Sequence, residues 1–289
     1  MNMRVLLFSM ELKGDARNIY QYLADDLRDE GFVLYQYKNP DSSLLENIPI
    51  LENKEQLREQ HIDLILSAGG DGTMLKAVSF GGDSGIPFLG FNLGRLGFLA
   101  VIEKDGIQSV IKSLKAGNYE IDKRSTLSIK SNLPIFDKDV FALNDFTLMK
   151  RDNSSMIKIH TTLNGEFLNT YWADGLILAT PTGSTGYSLS CGGPIVFPHS
   201  GNFVITPIAP HNLNVRPAVI SDDSLLEFKV EGRSDNFLCT MDSNYGLCTS
   251  DHLIQITRNS FDINLLKIEG HSFLKTLRNK LMWGLDLRN

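Results

Sequence analysis

Apolar positions follow one rhythm up to about residue 120 and another after it. In the first stretch, short apolar runs alternate with segments of helical period. RVLLFSM (4–10), FVLYQY (32–37), IDLILSA (62–68) and IPFLGFN (86–92) are strand-like. ARNIYQYLADDLRDEG (16–31) spaces Ile19, Leu23 and Leu27 four apart and stops at Gly31, which predicts an amphipathic helix. GIQSVIKSLKAG (106–117) repeats the pattern with Ile107, Val110, Ile111 and Leu114. Such alternation predicts βαβ units and a mostly parallel sheet.

Beyond residue 120 the segments alternate with period two and are divided by turn signals. STLSIKS (125–131), FALNDFTLMK (141–150), SLLEFKVEG (224–232), NFLCTMD (236–242) and HLIQITR (252–258) are of this kind. MIKIHTTLNGEFLNTYWA (156–173) sets Asn164-Gly165 between two alternating runs, a hairpin signal. The tail SFLKTLRNKL (272–281) turns helical again, with Leu274, Leu277 and Leu281 on one side. The expected fold is an α/β sheet domain over residues 1–120, rejoined by a helical C-terminal segment at about 270–289. An antiparallel, sandwich-like all-β domain occupies 121–269 between them.

Composition narrows the partners. Of 289 residues, 42% are hydrophobic and 21% charged, as in an ordinary globular protein. The net charge of −6 argues against a nucleic-acid partner but permits a local basic site for a small anion. Three cysteines with no C-x-x-C argue against a disulfide framework or structural zinc, and fit a reducing cytosol. The six histidines show no metal-ligand spacing, so no resident metal is expected. The N-terminal apolar run is too short for a signal peptide or a membrane span. A cytoplasmic protein without a membrane partner is expected.

The stretch LILSAGGDGTMLKAV (64–78) carries the first candidate chemistry. An apolar run leads into Gly69-Gly70-Asp71-Gly72-Thr73, and a helical pattern follows. A helix start offers unpaired N–H groups and a positive dipole end, and glycines admit a ligand close to the backbone. This predicts a phosphate site, yet the spacing is neither that of the P-loop nor G-x-G-x-x-G. The departure is Asp71. A carboxylate there can hold a divalent cation, take a proton from a hydroxyl attacking a phosphoryl group, or simply close a turn through an Asx hydrogen bond.

Gly69–Thr73 resembles the signature of a kinase superfamily that includes NAD kinases, diacylglycerol and sphingosine kinases and 6-phosphofructokinases. FNLGRLGFLA (91–100) resembles the NAD kinase element N-x-G-x-L-G-F-L, matched at Asn92, Gly94, Leu96, Gly97, Phe98 and Leu99. DGLILATPTGSTGYSLSCGGPIV (174–196) resembles that family's glycine/threonine-rich segment, and PIAPHNLNVRP (207–217) its P-x-x-P-H-x-L…R-P element. The four motifs run in order, and the chain looks like a bacterial-type NAD kinase. A diacylglycerol-type lipid kinase of the same superfamily is the alternative.

The resemblance implies transfer of the ATP γ-phosphoryl to the 2′-hydroxyl of the adenosine ribose of NAD. It makes Asp71 the general base, with Gly69, Gly70, Gly72 and Thr73 beside the phosphates. It makes the all-β domain the NAD-binding one. ALNDFTL (142–148) resembles the family's Asn-Glu dipeptide, here Asn144-Asp145, whose side chains hold NAD near the ribose and adenine; Asp145 is one methylene shorter than the usual Glu. Asp174 matches a carboxylate on the nicotinamide side. Thr182, Thr185, Tyr187 and Ser190 match contact positions, with Tyr187 offering a ring to adenine, and Gly186 falls where relatives often have Ala. Arg95 is a possible phosphate contact. His211 reads as structural, and the turn at Asp242, which matches a D-G-Q only at its first residue, has a doubtful ligand role. NAD and ATP (or polyphosphate) are the implied partners. Mg²⁺ would arrive with ATP, and the resemblance implies a homodimer or homotetramer.

Overall fold

The computed structural model describes residues 2–41, 45–94, 96–151 and 155–283. They form two compact units, Met1–Lys123 with Ile263–Asn289, and Arg124–Asp262. In chain order the strands begin with β1 (Arg4–Phe8), β2 (Val33–Tyr37), β3 (Ile50–Leu51), β4 (Leu64–Ala68), β5 (Phe88–Phe91) and β6 (Tyr119–Arg124). Next come β7 (Leu127–Ser131), β8 (Phe141–Ala142), β9 (Asp145–Lys150), β10 (Ile157–Leu163), β11 (Glu166–Ala173), β12 (Gly175–Ala179) and β13 (Asn202–Ile208). The last are β14 (Ala218–Ser221), β15 (Leu226–Glu231), β16 (Phe237–Met241), β17 (Asn244–Cys248), β18 (Ile254–Arg258) and β19 (Ile263–Ile268). The helices are α1 (Ala16–Asp29), α2 (Glu55–Glu59), α3 (Asp71–Gly81), α4 (Ile107–Ala116), α5 (Tyr187–Ser190) and α6 (Phe273–Leu281). None of them is long and apolar enough to cross a membrane.

The first unit is built on a sheet ordered β3-β2-β1-β4-β5-β19-β6. Its central strands pair in parallel, β2 with β1, β1 with β4 and β4 with β5. Strands β4 and β5 are buried along their whole length, as expected for a parallel sheet covered on both faces. Helix α1 contributes Tyr20, Leu23, Ala24 and Leu27 to the core, and α4 contributes Ile107, Val110, Ile111 and Leu114. Both helices stop at glycines of positive φ, Gly31 and Gly117, where a side chain would be strained. Strand β19 also belongs to this sheet, pairing in parallel with β5. Its burial explains the return: Ile263, Leu265, Leu266 and Ile268 are all apolar and all buried, a pattern for a covered parallel strand rather than a one-faced antiparallel one. Helix α6 buries Leu277, but Leu274 is 53% exposed; the buried side runs through Thr276 and Leu277 rather than through the three leucines.

The second unit holds two antiparallel sheets, ordered β11-β10-β15-β18-β7-β8 and β14-β13-β12-β9-β16-β17. Leu127, Ile159, Phe228 and Ile256 of the first share one core with Phe146, Leu178, Phe203 and Cys239 of the second. That is a sandwich whose inner faces are fed by period-two strands such as β15 and β16. Asn164 and Gly165, both at positive φ, close the β10–β11 hairpin as their sequence requires. Strand β12 departs from alternation and is buried throughout. Leu176 and Leu178 face the sandwich core, while Ile177 and Ala179 pack with Val196, Val204 and Ile208 on the outer side. The glycine/threonine segment folds back to supply that outer cover. All three cysteines are free thiols, with Cys239 and Cys248 buried.

Candidate active site

In the first unit the glycine–aspartate loop leaves β4 and opens α3. The Gly69 N–H donates to the Phe91 carbonyl at 2.9 Å, so β5 fixes the start of the loop. A Cβ on Gly69 would meet Thr73 Oγ1 at 2.3 Å, which accounts for that glycine by packing alone. Gly70 and Gly72 are different: a Cβ on either would meet nothing within 4 Å. The fold does not require glycine there, and the open space beside the helix start is what a phosphate approaching the backbone would use.

Asp71 is the first residue of α3, where a negative charge suits the helix dipole. Its carboxylate reaches across to the loop after β5. Oδ2 accepts the Phe98 N–H at 2.8 Å, and Oδ1 accepts the N–H groups of Leu99 at 2.9 Å and Ala100 at 3.0 Å. A Cβ on Gly97 would lie 2.0 Å from Asp71 Oδ1, so glycine is what lets this loop close on the carboxylate. The two glycine motifs at 69–73 and 91–100 are therefore one structure joined by Asp71. An ionised carboxylate has about four acceptor positions, and three are taken here, leaving one on Oδ2. Asn92 is buried; its Oδ1 accepts the Gly94 N–H, and its Nδ2 has no partner among the described residues. Arg95 lies outside the described residues.

In the second unit, Asn144 and Asp145 sit where one expected strand breaks in two. FALNDFTLMK forms β8 and β9, with Leu143 and Asn144 between them. The cause is Asp242, in the turn from β16 to β17. Its Oδ2 accepts the Leu143 N–H at 2.7 Å, and its Oδ1 accepts those of Asn144 at 2.9 Å and Asp145 at 3.0 Å. These amides serve a carboxylate instead of a strand ladder. Although the Asp242 turn is partly exposed, the carboxyl is desolvated: burial pushes it up to about 7, against the pull of its three N–H donors. Asp145 is 9% exposed, and burial pushes it up to about 6, opposed by the Thr147 hydroxyl, which donates to it at 3.3 Å. Asn144 Oδ1 is buried without a partner among the described residues.

The glycine/threonine segment packs directly on this dipeptide. The Thr180 N–H donates to the Asn144 carbonyl at 2.9 Å, and its hydroxyl donates to the Leu143 carbonyl at 2.5 Å. A Cβ on Gly183 would lie 2.0 Å from the Asn144 carbonyl oxygen. A Cβ on Gly186 would sit 3.7 Å from Asn144 Nδ2 and 3.9 Å from Asp145 Oδ2, which places Gly186 beside both side chains. Thr182 is buried, and its hydroxyl accepts from Arg124 Nη1 at 3.2 Å, keeping its own proton to donate. Thr185 gives its proton to the Thr182 carbonyl at 3.1 Å and retains acceptor capacity. Tyr187 is 41% exposed; burial raises its phenol, helped by Cys191 and by the charges of Asp145 and Asp174, so these groups are electrostatic neighbours. Asp174 pairs with Lys150 at 2.7 Å. Ser190, the last residue of α5, is exposed. His211 is exposed too; its N–H donates to the Trp172 carbonyl at 2.8 Å and its ring lies 6.3 Å from that of Trp172.

Sequence reasoning left Asp242 with one doubtful role and did not find Arg124. Nothing in the local pattern shows what either one holds, since each acts on residues about 60 to 100 positions away. Among the described residues no three His, Cys, Asp or Glu side chains are grouped to hold a metal ion.

Comparison with known proteins agrees with this architecture. Residues 13–119 match the ATP-NAD kinase N-terminal domain and residues 143–267 the ATP-NAD kinase C-terminal domain. The chain is 49% identical to an NAD kinase of Cytophaga hutchinsonii over 78% of each protein. It is 41% identical to an NAD kinase of Flavobacterium johnsoniae over 93% of this chain and 97% of that one. Its fold superposes on yeast NADH kinase complexed with NADH with a TM-score of 0.85, 23% identity, and coverage of 99% of this chain and 89% of that one. An NAD kinase from Archaeoglobus fulgidus in complex with ATP gives 0.72 at 25% identity, covering 97% and 98%. With both halves matched and close relatives aligned along most of their length, the chain belongs to the ATP-NAD kinase family.

Proposed function

We propose that this chain transfers the γ-phosphoryl of ATP to the 2′-hydroxyl of the adenosine ribose of NAD, giving NADP. The observation that carries the reading is Asp71: a carboxylate locked by three backbone N–H groups, with one acceptor position left, flanked by two glycines that the fold itself does not need. Phosphoryl transfer asks for little covalent work from the protein. It needs the hydroxyl positioned, its proton accepted and the phosphate charge met. Asp71 accepts the proton. Gly70 and Gly72 at the start of α3 present N–H groups to the phosphates, and Thr73, whose N–H donates to the Gly70 carbonyl at 3.0 Å, offers its hydroxyl. Mg²⁺ enters as the partner of ATP and offsets the triphosphate charge when bound.

The acceptor is held by the second unit. Asn144 Oδ1, buried and without a partner among the described residues, accepts from the dinucleotide, and Asp145 accepts from a ribose hydroxyl. Thr182 donates, Thr185 accepts, Tyr187 offers its ring to adenine, and Gly186 leaves room beside them. Ser190 adds a hydroxyl. Asp174, neutralised in part by Lys150, serves the nicotinamide side. Self-association into a dimer or tetramer belongs to the same reading, supported by Tyr245 and Leu247, 77% and 41% exposed on the edge strand β17, as apolar surface for a second copy to cover. A cytoplasmic location is part of it.

The relatives named NAD kinase do not favour a lipid acceptor. A panel of NAD, NADH and diacylglycerol as acceptors, with Mg-ATP and polyphosphate as donors, tests the reading. NADP formation by the wild type, lost in Asp71→Asn, is expected. Phosphorylated diacylglycerol without NADP would reverse the assignment.

A further inference from the structure

We infer that Asp242 is a positioning residue for the dinucleotide: its carboxylate sets where the backbone presents the Asn144 and Asp145 side chains. The inference rests on the proposed function and deepens it. Strand β8 ends at Ala142 and β9 begins at Asp145, so the amides at the break have no ladder partners of their own. The N–H groups of Leu143 and Asn144, with that of Asp145 at the start of β9, converge on Asp242, and Asp242 returns its own N–H to the Asp145 carbonyl at 3.0 Å. Four hydrogen bonds thus join one turn residue to a tripeptide about 100 positions away in sequence. A hairpin turn between β16 and β17 needs none of them.

The residue type matches the task. Two carboxylate oxygens can serve three convergent donors, whereas a hydroxyl or a single amide oxygen cannot reach them all. Asp242 adopts φ of 50°, the left-handed region that Asp and Asn tolerate. On the other side of the break, Gly183 lies so near the Asn144 carbonyl that a Cβ would approach to 2.0 Å. The dipeptide is therefore clamped from both sides, by a carboxylate and by a missing side chain. Burying a carboxyl in this way is costly. What the arrangement gains is a fixed direction for Asn144 and Asp145, since side-chain direction follows the backbone.

The test uses Asp242→Ala and Asp242→Asn in the full chain. NAD binding is measured by calorimetry, KM for NAD and for ATP by steady-state kinetics, and Tm by scanning calorimetry. The Ala variant leaves three donors unpaired, so Kd and KM for NAD should rise about tenfold or more while KM for ATP stays within about twofold. Asn tolerates the same backbone and keeps one oxygen for Asn144 and Asp145, so it should fall between wild type and Ala. A residue that only supports the hairpin would lower Tm and leave both KM values alone. If both variants bind NAD within about twofold of wild type, the inference is overturned whatever Tm does. Should the Ala variant not fold, Asn decides by the same criterion. A wild type that binds no NAD overturns the functional reading and this inference with it.

Discussion

Two aspartates, one in each unit, accept three successive backbone N–H groups in nearly the same way. Asp71 gathers those of Phe98, Leu99 and Ala100, and Asp242 those of Leu143, Asn144 and Asp145. Their surroundings separate them. Asp71 heads a helix, beside Gly70 and Gly72 with open space around them. Asp242 sits in a left-handed turn, and desolvation dominates its carboxyl. The same hydrogen-bond pattern can hold a reactive group still or hold another group's backbone still. Access to a ligand decides which.

The largest effect expected from breaking this comparison is at Asp71. Asp71→Asn should lower kcat by roughly 10²–10⁴, the value of a positioned base, with a cooperative unfolding transition retained. Steady-state NADP formation measures it, and a kcat within tenfold of wild type would remove Asp71 from the chemistry. Gly97→Ala comes next. The new Cβ would meet Asp71 Oδ1, so the carboxylate must shift, and a displacement of this kind lowers kcat by about 10²-fold. Gly70→Ala is its control, since its Cβ meets nothing in the protein. An unchanged Tm with weaker ATP binding would show that the glycine serves a ligand.

On the Asp242 side, Gly183→Ala should destabilise the chain by about 1–3 kcal/mol in urea unfolding, because its Cβ meets backbone that cannot yield. A smaller, pH-dependent effect follows from Asp145. Its folded-state value of about 6 lies above the ordinary 3.8, so the folded chain binds the proton more tightly than the unfolded chain. Below 3.8 both states are protonated, and above about 6 neither is. Wild-type stability is thus lost to this group as pH rises through that window. Asp145→Asn removes the loss, so the variant should gain on wild type as pH rises from about 4 through about 6. Urea unfolding at each pH measures it, and a difference independent of pH would contradict the burial of that carboxyl. The smallest effect is expected at Gly186→Ala. Its Cβ would approach no atom nearer than 3.2 Å, and KM for NAD should change by less than about twofold.

Local pattern was enough for what depends on neighbours in sequence. The stripes of α1 and α4, the glycine stop of α1, the Asn164-Gly165 hairpin and the strand-to-helix step at Gly69–Thr73 all formed as read, because helical period, turn chemistry and a helix start are set within a few residues. It was not enough where a distant group claims a backbone amide or covers a face. FALNDFTLMK reads as one strand, and only Asp242, 97 to 99 positions away, divides it. Nothing local in GLILA (175–179) shows that Val196, Val204 and Ile208 pack over its outer face. Leu274 reads as core, yet the tertiary packing of α6 leaves it exposed. The sequence by itself determined the two rhythms and the motifs of the family. Tertiary structure alone decided which N–H groups Asp71 and Asp242 hold, since a carboxylate selects donors by proximity in space and carries no sign of them in its own neighbourhood.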